Sequence, residues 1–231
     1  MKRIIVFMLV VALCVPALFS CDMITNLINN PLTSVMKMYS MSSPTKVVAT
    51  TTQKISGVEL NCSYELVTGY VDNTPASVYT VTTEEIRSVA DGGNTEEIKD
   101  LVKSTTKKIE AVEGIGSRTN GGDWNPNGVV WSIGRGSMAL NLDPKLVENV
   151  TYQNHTLTCT VPVDNAAAVL GEDYAGDISS DVELTIVDDG AVITSIELHY
   201  FLKANEEANL VESEMTIKVT YTYDMERITI E

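Results

Sequence analysis

The sequence has little with which to do chemistry. It holds two histidines, His155 and His199, and four cysteines among 231 residues. His155 and Cys159 are spaced as a His-x₃-Cys pair, but no second pair stands nearby to complete a tetrahedral zinc site. No Gly-x-Ser-x-Gly elbow offers a hydrolase nucleophile. Glycines are frequent from Gly114 to Gly136. No Gly-Lys-Ser/Thr follows them and no strand–GxGxxG–helix pattern surrounds them, so turn geometry accounts for them. Glu172, Asp173, Asp177 and Asp181 lack EF-hand spacing and read as a solvated loop. Catalytic, metal and cofactor sites are therefore not expected. Positive charge is scarce too: 16 Lys and Arg face 31 Asp and Glu, a formal net charge of −15. That balance argues against nucleic acid and against adsorption onto an anionic bilayer. Repeats and low-complexity tracts are also missing.

What is present begins with a leader. Lys2 and Arg3 precede an apolar run of 16 residues, Ile4 to Phe19. Such a run is short for a spanning helix, which needs roughly 20 residues, and its charge is placed as in a secretory signal. An ordinary signal-peptidase cut before Cys21 would want a small residue where Leu18 stands. Leu18-Phe19-Ser20-Cys21 instead resembles the lipobox of bacterial lipoproteins, with Phe19 in place of the usual small residue. The resemblance implies removal of residues 1–20 and lipidation of Cys21, which becomes the new N-terminus. The alternative is an uncleaved N-terminal anchor with an incidental cysteine. Two acyl chains would hold the protein firmly, at about 0.8 kcal/mol per buried methylene. Removing Lys2 and Arg3 leaves 14 basic against 31 acidic residues, a net charge of −17. The lipid then becomes the expected membrane contact. The protein is expected to be exported and to face the periplasm or the outside. In a Gram-negative cell, Asp22 after the cysteine would imply retention at the inner membrane.

Cys62 and Cys159 remain in a compartment where disulfides persist. Paired, they would close a loop of about 100 residues, worth roughly 4–5 kcal/mol on the chain-entropy model. The alternative is two buried free thiols. Residues 21–44 are expected to form a lipidated tether and helix, and residues 45–231 a single β-rich domain.

Apolar spacing supports that division. Met23, Ile24, Leu27, Ile28, Leu32, Val35, Met36 and Tyr39 recur at helical intervals, with Pro31 starting a second segment. From Lys46 the period becomes two. Val58–Tyr70 carries Val58, Leu60, Cys62, Tyr64 and Leu66 on one face and Glu59, Asn61, Ser63 and Glu65 on the other, which suits an antiparallel strand. Lys46–Ser56 before it and Ser77–Thr82 after it complete a meander, with a turn at Val71–Pro75. The stretch Thr83–Ala111 is expected to be helical. Thr95 would cap it, Ile98, Leu101 and Val102 would form its inner stripe, and Asp91–Asn94 would break it. Val129–Ile133 and Met138–Leu142 read as strands, and Asp143–Val147 as a capped turn begun by Pro144. Thr151–Val163 alternates as one strand, with His155, Leu157, Cys159, Val161 and Val163 on one face. Asp164–Gly171 is a short helix ending at a glycine. Val182–Ile186, the Asp188-Asp189-Gly190 hairpin and Val192–Leu202 follow. Met215–Tyr223 makes a third strand, and Ile228 and Ile230 close the chain on a short one.

The expected fold is α+β, mainly β: a curved antiparallel sheet, or half-barrel, with a few short helices packed on its concave side. The order of elements resembles lipoproteins of the LolA/LppX type, most of all over Asp181–Tyr223. That resemblance is architectural and transfers no single residue. It implies a sheet that shelters a lipid, an acyl chain or a lipidated partner at the cell envelope. A wide apolar face incompletely covered by short helices would leave a cavity. Its candidate lining is Leu60, Tyr64, Leu66, Tyr79, Trp131, Leu157, Ile196, Leu198 and Tyr200; for each of them ordinary core is the alternative. Two other readings stand beside the ligand holder. One is a structural or protein-interaction lipoprotein with a filled core. The other is a hydrolase assembled in space around His155 or His199. Protein partners are not legible.

Overall fold

The computed structural model describes residues 31–41, 43–55, 58–90, 97–133, 140–171, 177–204, 212–224, 226–228 and 230. Helix α1 (Pro31–Met41) precedes strands β1 (Lys46–Ile55), β2 (Val58–Val71), β3 (Thr74–Ala90), β4 (Glu97–Val112) and β5 (Gly116–Thr119). Strands β6 (Glu148–Gln153) and β7 (Thr156–Val161) follow, then a 3₁₀ turn running into α2 (Ala166–Leu170). The chain ends with β8 (Val182–Asp188), β9 (Ile193–Leu202), β10 (Ser213–Thr222) and β11 (Glu226–Arg227). The strands form one curved sheet that does not close, in the order β5-β4-β3-β2-β1-β10-β9-β8-β7-β6. All of these neighbours are antiparallel, while β11 lies parallel to β2. This is the mainly β fold expected from the alternating pattern.

Local chemistry explains the hairpins. Asp72 and Asn73 turn β2 into β3 at φ 47° and 69°, the left-handed pair that a two-residue turn needs to match strand twist. Pro31 opens α1, where its missing N–H is no loss. Gly171 follows α2 at φ 94°, and its N–H donates to the Ala167 carbonyl.

Three expectations are corrected. Thr83–Ala111 is not helical: β3 runs on to Ala90 and β4 spans Glu97–Val112, while the residues between lie outside the description. Val78, Val81, Thr82, Thr83, Thr105 and Thr106 are β-branched and pack well on a pleated sheet, and the Thr82 and Thr106 hydroxyls meet at 3.2 Å. Ile98, Leu101 and Val102 lie in β4, whose register shifts at Glu85/Ile86. Second, Thr151–Val163 is not one strand. Asn154 and His155, at φ 49° and 60°, turn β6 back into β7. His155 therefore sits in a turn rather than on a strand. Third, Val129–Ile133 and Leu140–Leu142 are not strands.

Registers assign each side chain to a face, because opposed residues of an antiparallel pair point the same way. One face carries both helices. Val35 of α1 and Val169 of α2 are fully buried against Leu157, Val161, Val182, Leu184, Ile186, Ile196 and Leu198 from β7, β8 and β9. Each such side chain contributes about 1.5–3 kcal/mol by leaving water. Tyr39 of α1 meets Tyr221 of β10 edge to face, 6.5 Å between ring centres. A second, smaller cluster lies on the opposite face at the other end: Val67, Ala76, Val112 and Ile228, with Trp124 against them. Glu110 is buried beside it, held by Arg118 at 2.6 Å and Lys108 at 2.8 Å. These two cations hold its carboxyl below the usual range despite burial, which opposes them.

Candidate functional site

The nine candidate lining residues lie along the helix-bearing face, but they divide. Leu157, Ile196, Leu198 and Tyr200 belong to the closed core and are at most 5 % exposed. Strands β7 and β9 hold them under α1 and α2, so these four line no cavity. Leu60, Tyr64, Leu66, Tyr79 and Trp131 lie over β2 and β3 and stay partly open to solvent. Tyr64 is 37 % exposed. Tyr79 and Trp131 pack with ring centres 5.9 Å apart, and Trp131 donates its backbone N–H to the buried Ser77 hydroxyl at 3.0 Å. So the loop around Trp131 covers one corner of this area.

Register fixes the neighbourhood. Leu66 stands between Val47 of β1 and Tyr79 of β3, and Tyr79 stands beside Ile109 of β4. The next row on this face is Ala49, Tyr64, Val81 and Lys107; beyond it comes Thr51, Cys62, Thr83 and Thr105. A hydrogen bond with the Cys62 side chain, then burial, pushes the Tyr64 phenol up to about 12. Burial and Cys62 also push Tyr79 up. These phenols stay protonated and present hydroxyls at the rim of an apolar area. That arrangement suits an amphipathic ligand better than proton transfer near neutral pH.

Cys62 and Cys159 are not bridged. Both are free thiols, on β2 and β7, five strand spacings apart in the sheet. That is roughly 24 Å along the sheet, far beyond disulfide reach. Burial pushes the Cys159 thiol up to about 11. Cys62 is half-buried, 3.7 Å from the Thr83 hydroxyl. Cys21 lies outside the described residues.

A groove of about 520 Å³ opens on the opposite face of β1–β3. Thr50, Thr52, Glu59, Asn61, Thr82 and Glu84 line it. Its lining, which also takes in Thr51, Cys62 and Ser63, is drawn mostly from polar residues of the face opposite the apolar area, so it is not the expected cavity. The histidines are held separately. His155 Nδ1 lies 3.0 Å from the buried Asp188 carboxylate, which also accepts from Tyr152 at 2.9 Å and from the Gly190 N–H at 2.8 Å. His199 Nε2 lies 2.9 Å from Glu214 on the outer face. Among the described residues, neither set has a hydroxyl or thiol nucleophile as a hydrogen-bonding partner, apart from the Tyr152 phenol. Of the acidic stretch, Asp181 accepts the Val163 N–H at 2.9 Å, and Glu172 and Asp173 lie outside the described residues.

Ile109 and Lys107 are missing from the sequence-predicted lining because Thr83–Ala111 reads as helix; Val81 lies in the expected strand Ser77–Thr82 but is not among the candidates. The β-branched residues Thr105, Thr106 and Ile109 are the signal that favours a strand there.

No protein-family model and no curated protein matches the chain. Among solved structures, it is similar to a DUF1329 family protein from Desulfovibrio piger, at 9 % identity over 84 % of this chain and 92 % of the other, with a TM-score of 0.25. It is also similar to a porin-like protein from Bacteroides uniformis, at 10 % identity over 78 % of this chain and 96 % of the other, again with a TM-score of 0.25. At that TM-score neither likeness bears on fold detail or function.

Proposed function

We propose that the protein is an envelope lipoprotein, anchored through a lipidated Cys21, that holds a lipid or other apolar ligand against the helix-bearing face of its sheet. It binds rather than catalyses. One observation carries the reading: this face is closed by helices over β7–β9 and left partly open over β2 and β3, where Leu60, Tyr64, Leu66 and Tyr79 meet solvent. Half-exposed aromatic and aliphatic side chains on a rigid sheet are what a soft apolar ligand needs. The architectural resemblance to LolA/LppX-type lipoproteins fits the same reading. The ligand area is Leu60, Tyr64, Leu66, Tyr79 and Trp131, without the four residues buried in the core.

Native mass spectrometry of the Cys21→Ser variant tests it, because that variant carries no covalent lipid. The variant is expected to leave the detergent phase and to retain, or take up, a non-covalent acyl-chain ligand. A variant that stays lipid-free in the presence of excess palmitate overturns the ligand reading in favour of a structural or protein-interaction role. Unchanged detergent partitioning would mean that the apolar leader itself is the anchor.

A further inference from the structure

The open area changes character along and across the strands, and we propose that it takes an amphiphile with one acyl chain and one anionic head, a long-chain fatty acid. The tail would lie on Tyr64, Leu66 and Val81, and the head at Lys107 with Lys103 beyond it. This rests on the apolar-ligand reading above.

The first row of side chains on this face of β1–β4, Val47, Leu66, Tyr79 and Ile109, is apolar throughout. The second, Ala49, Tyr64 and Val81, is apolar until it reaches Lys107. The third row is Thr51, Cys62, Thr83 and Thr105, and the fourth is Gln53, Leu60, Glu85 and Lys103. Apolar surface therefore occupies one row across four strands and a second across three, roughly 7 Å along the strands by 10–14 Å across them from strand rise and spacing. That is room for one extended chain rather than two. A lysine ends it on β4.

Charge points the same way. Lys103 and Lys107 are exposed in a chain whose net charge is −15. Lys108 faces the other side and is engaged by Glu110 at 2.8 Å. Among the described side chains of β1–β4, the acid sharing their face is Glu85, directly across from Lys103, so Lys107 is the stronger of the two positions for an anion. An apolar strip ending in an exposed cation complements a carboxylate on a chain better than a neutral glyceride head, to which it offers hydrogen bonds without a matching charge.

The test uses full-length protein in neutral phosphatidylcholine nanodiscs, with a photoreactive palmitic acid and the matching photoreactive alcohol. Labelled peptides are mapped by mass spectrometry. The acid is expected to label β2–β4 more than the alcohol. Lys103→Gln with Lys107→Gln should cut labelling by the acid roughly five-fold, as loss of two exposed ion pairs predicts, and leave the alcohol unchanged. Lys145→Gln, in the exposed loop before β6 rather than on β2–β4, should change neither. Equal labelling by acid and alcohol overturns the anionic head while leaving the apolar site standing. So does a Gln pair without effect, or a Lys145 variant with the same effect. No labelling of β2–β4 by either probe overturns the apolar-ligand reading itself.

Discussion

The two halves of one sheet face obey the same alternation and end in different states. Over β7–β9, strands of six to ten residues lie under α1 and α2, and Leu157, Leu184 and Ile196 are shut from water. Over β2–β4, strands of 14 to 17 residues carry a smaller apolar set on this face, Leu60, Tyr64, Leu66, Tyr79, Val81 and Ile109, that stays partly wet. An apolar face is thus necessary for a core but does not make one. A second layer must lie over it, and a strand of 17 residues, roughly 57 Å long, outreaches a helix of 11 residues, roughly 16 Å long. The difference separates residues that serve stability from residues free to serve binding.

The two cysteines give the sharpest test, one lying in each half. Cys159 is 5 % exposed and its thiol is pushed up to about 11, two units above its ordinary 9.0. At neutral pH that alone lowers the thiolate fraction by about a hundred-fold, and burial blocks access as well. Native protein treated with a maleimide is expected to be modified at Cys62 first, with Cys159 reacting only after unfolding. Comparable rates at both sites would show that the packed half opens readily, and the contrast between the halves would fail.

Truncation measures the same contrast in stability. Leu184→Ala should destabilise by about 3 kcal/mol, because a fully buried leucine leaves a cavity. Leu66→Ala, with water already at its surface, should lose only about 1 kcal/mol. Denaturant unfolding of both variants decides it. A loss at Leu66 as large as at Leu184 would place Leu66 in a second closed core and remove it from the ligand area.

The legibility of the chain follows the same division. Where one face is buried and the other wet, as in β8, β9 and much of β10, alternation alone names the strands, and it names β2 as well although neither of its faces is closed. The failures came where local chemistry competes with the period. Ile98, Leu101 and Val102 satisfy a helix template as well as a strand containing a register shift, and only the neighbouring threonines favour the strand. Asn154 and His155 can occupy left-handed backbone without glycine, so no glycine marked that hairpin. The site was half legible for a different reason. Tyr64 and Tyr200 look alike in an alternating strand, and only the presence or absence of a covering layer tells ligand surface from core.

A smaller effect separates two tyrosines whose phenols are both pushed up to about 12, from an ordinary 10.0. For Tyr152 the causes are burial, then its hydrogen bond to the Asp188 carboxylate and that group's charge. For Tyr64 the leading cause is the Cys62 side chain, at a site 37 % open to water. A phenol raised on folding favours the folded state while protonated. Its contribution is therefore complete below pH 10 and is lost as pH rises from 10 towards 12. Tyr152→Phe should destabilise by about 2 kcal/mol at neutral pH, since the buried Asp188 Oδ2 loses this donor while Gly190 N–H and His155 engage only Oδ1. That deficit should shrink through the alkaline window, where wild type would place a phenolate beside a carboxylate. Tyr64→Phe should change both neutral stability and alkaline slope less, because water screens the exposed phenol. Denaturant unfolding from neutral pH to pH 12 reads both variants. An alkaline slope that survives Tyr152→Phe and disappears in Tyr64→Phe would reverse the assignment and make the open half the more tightly held of the two.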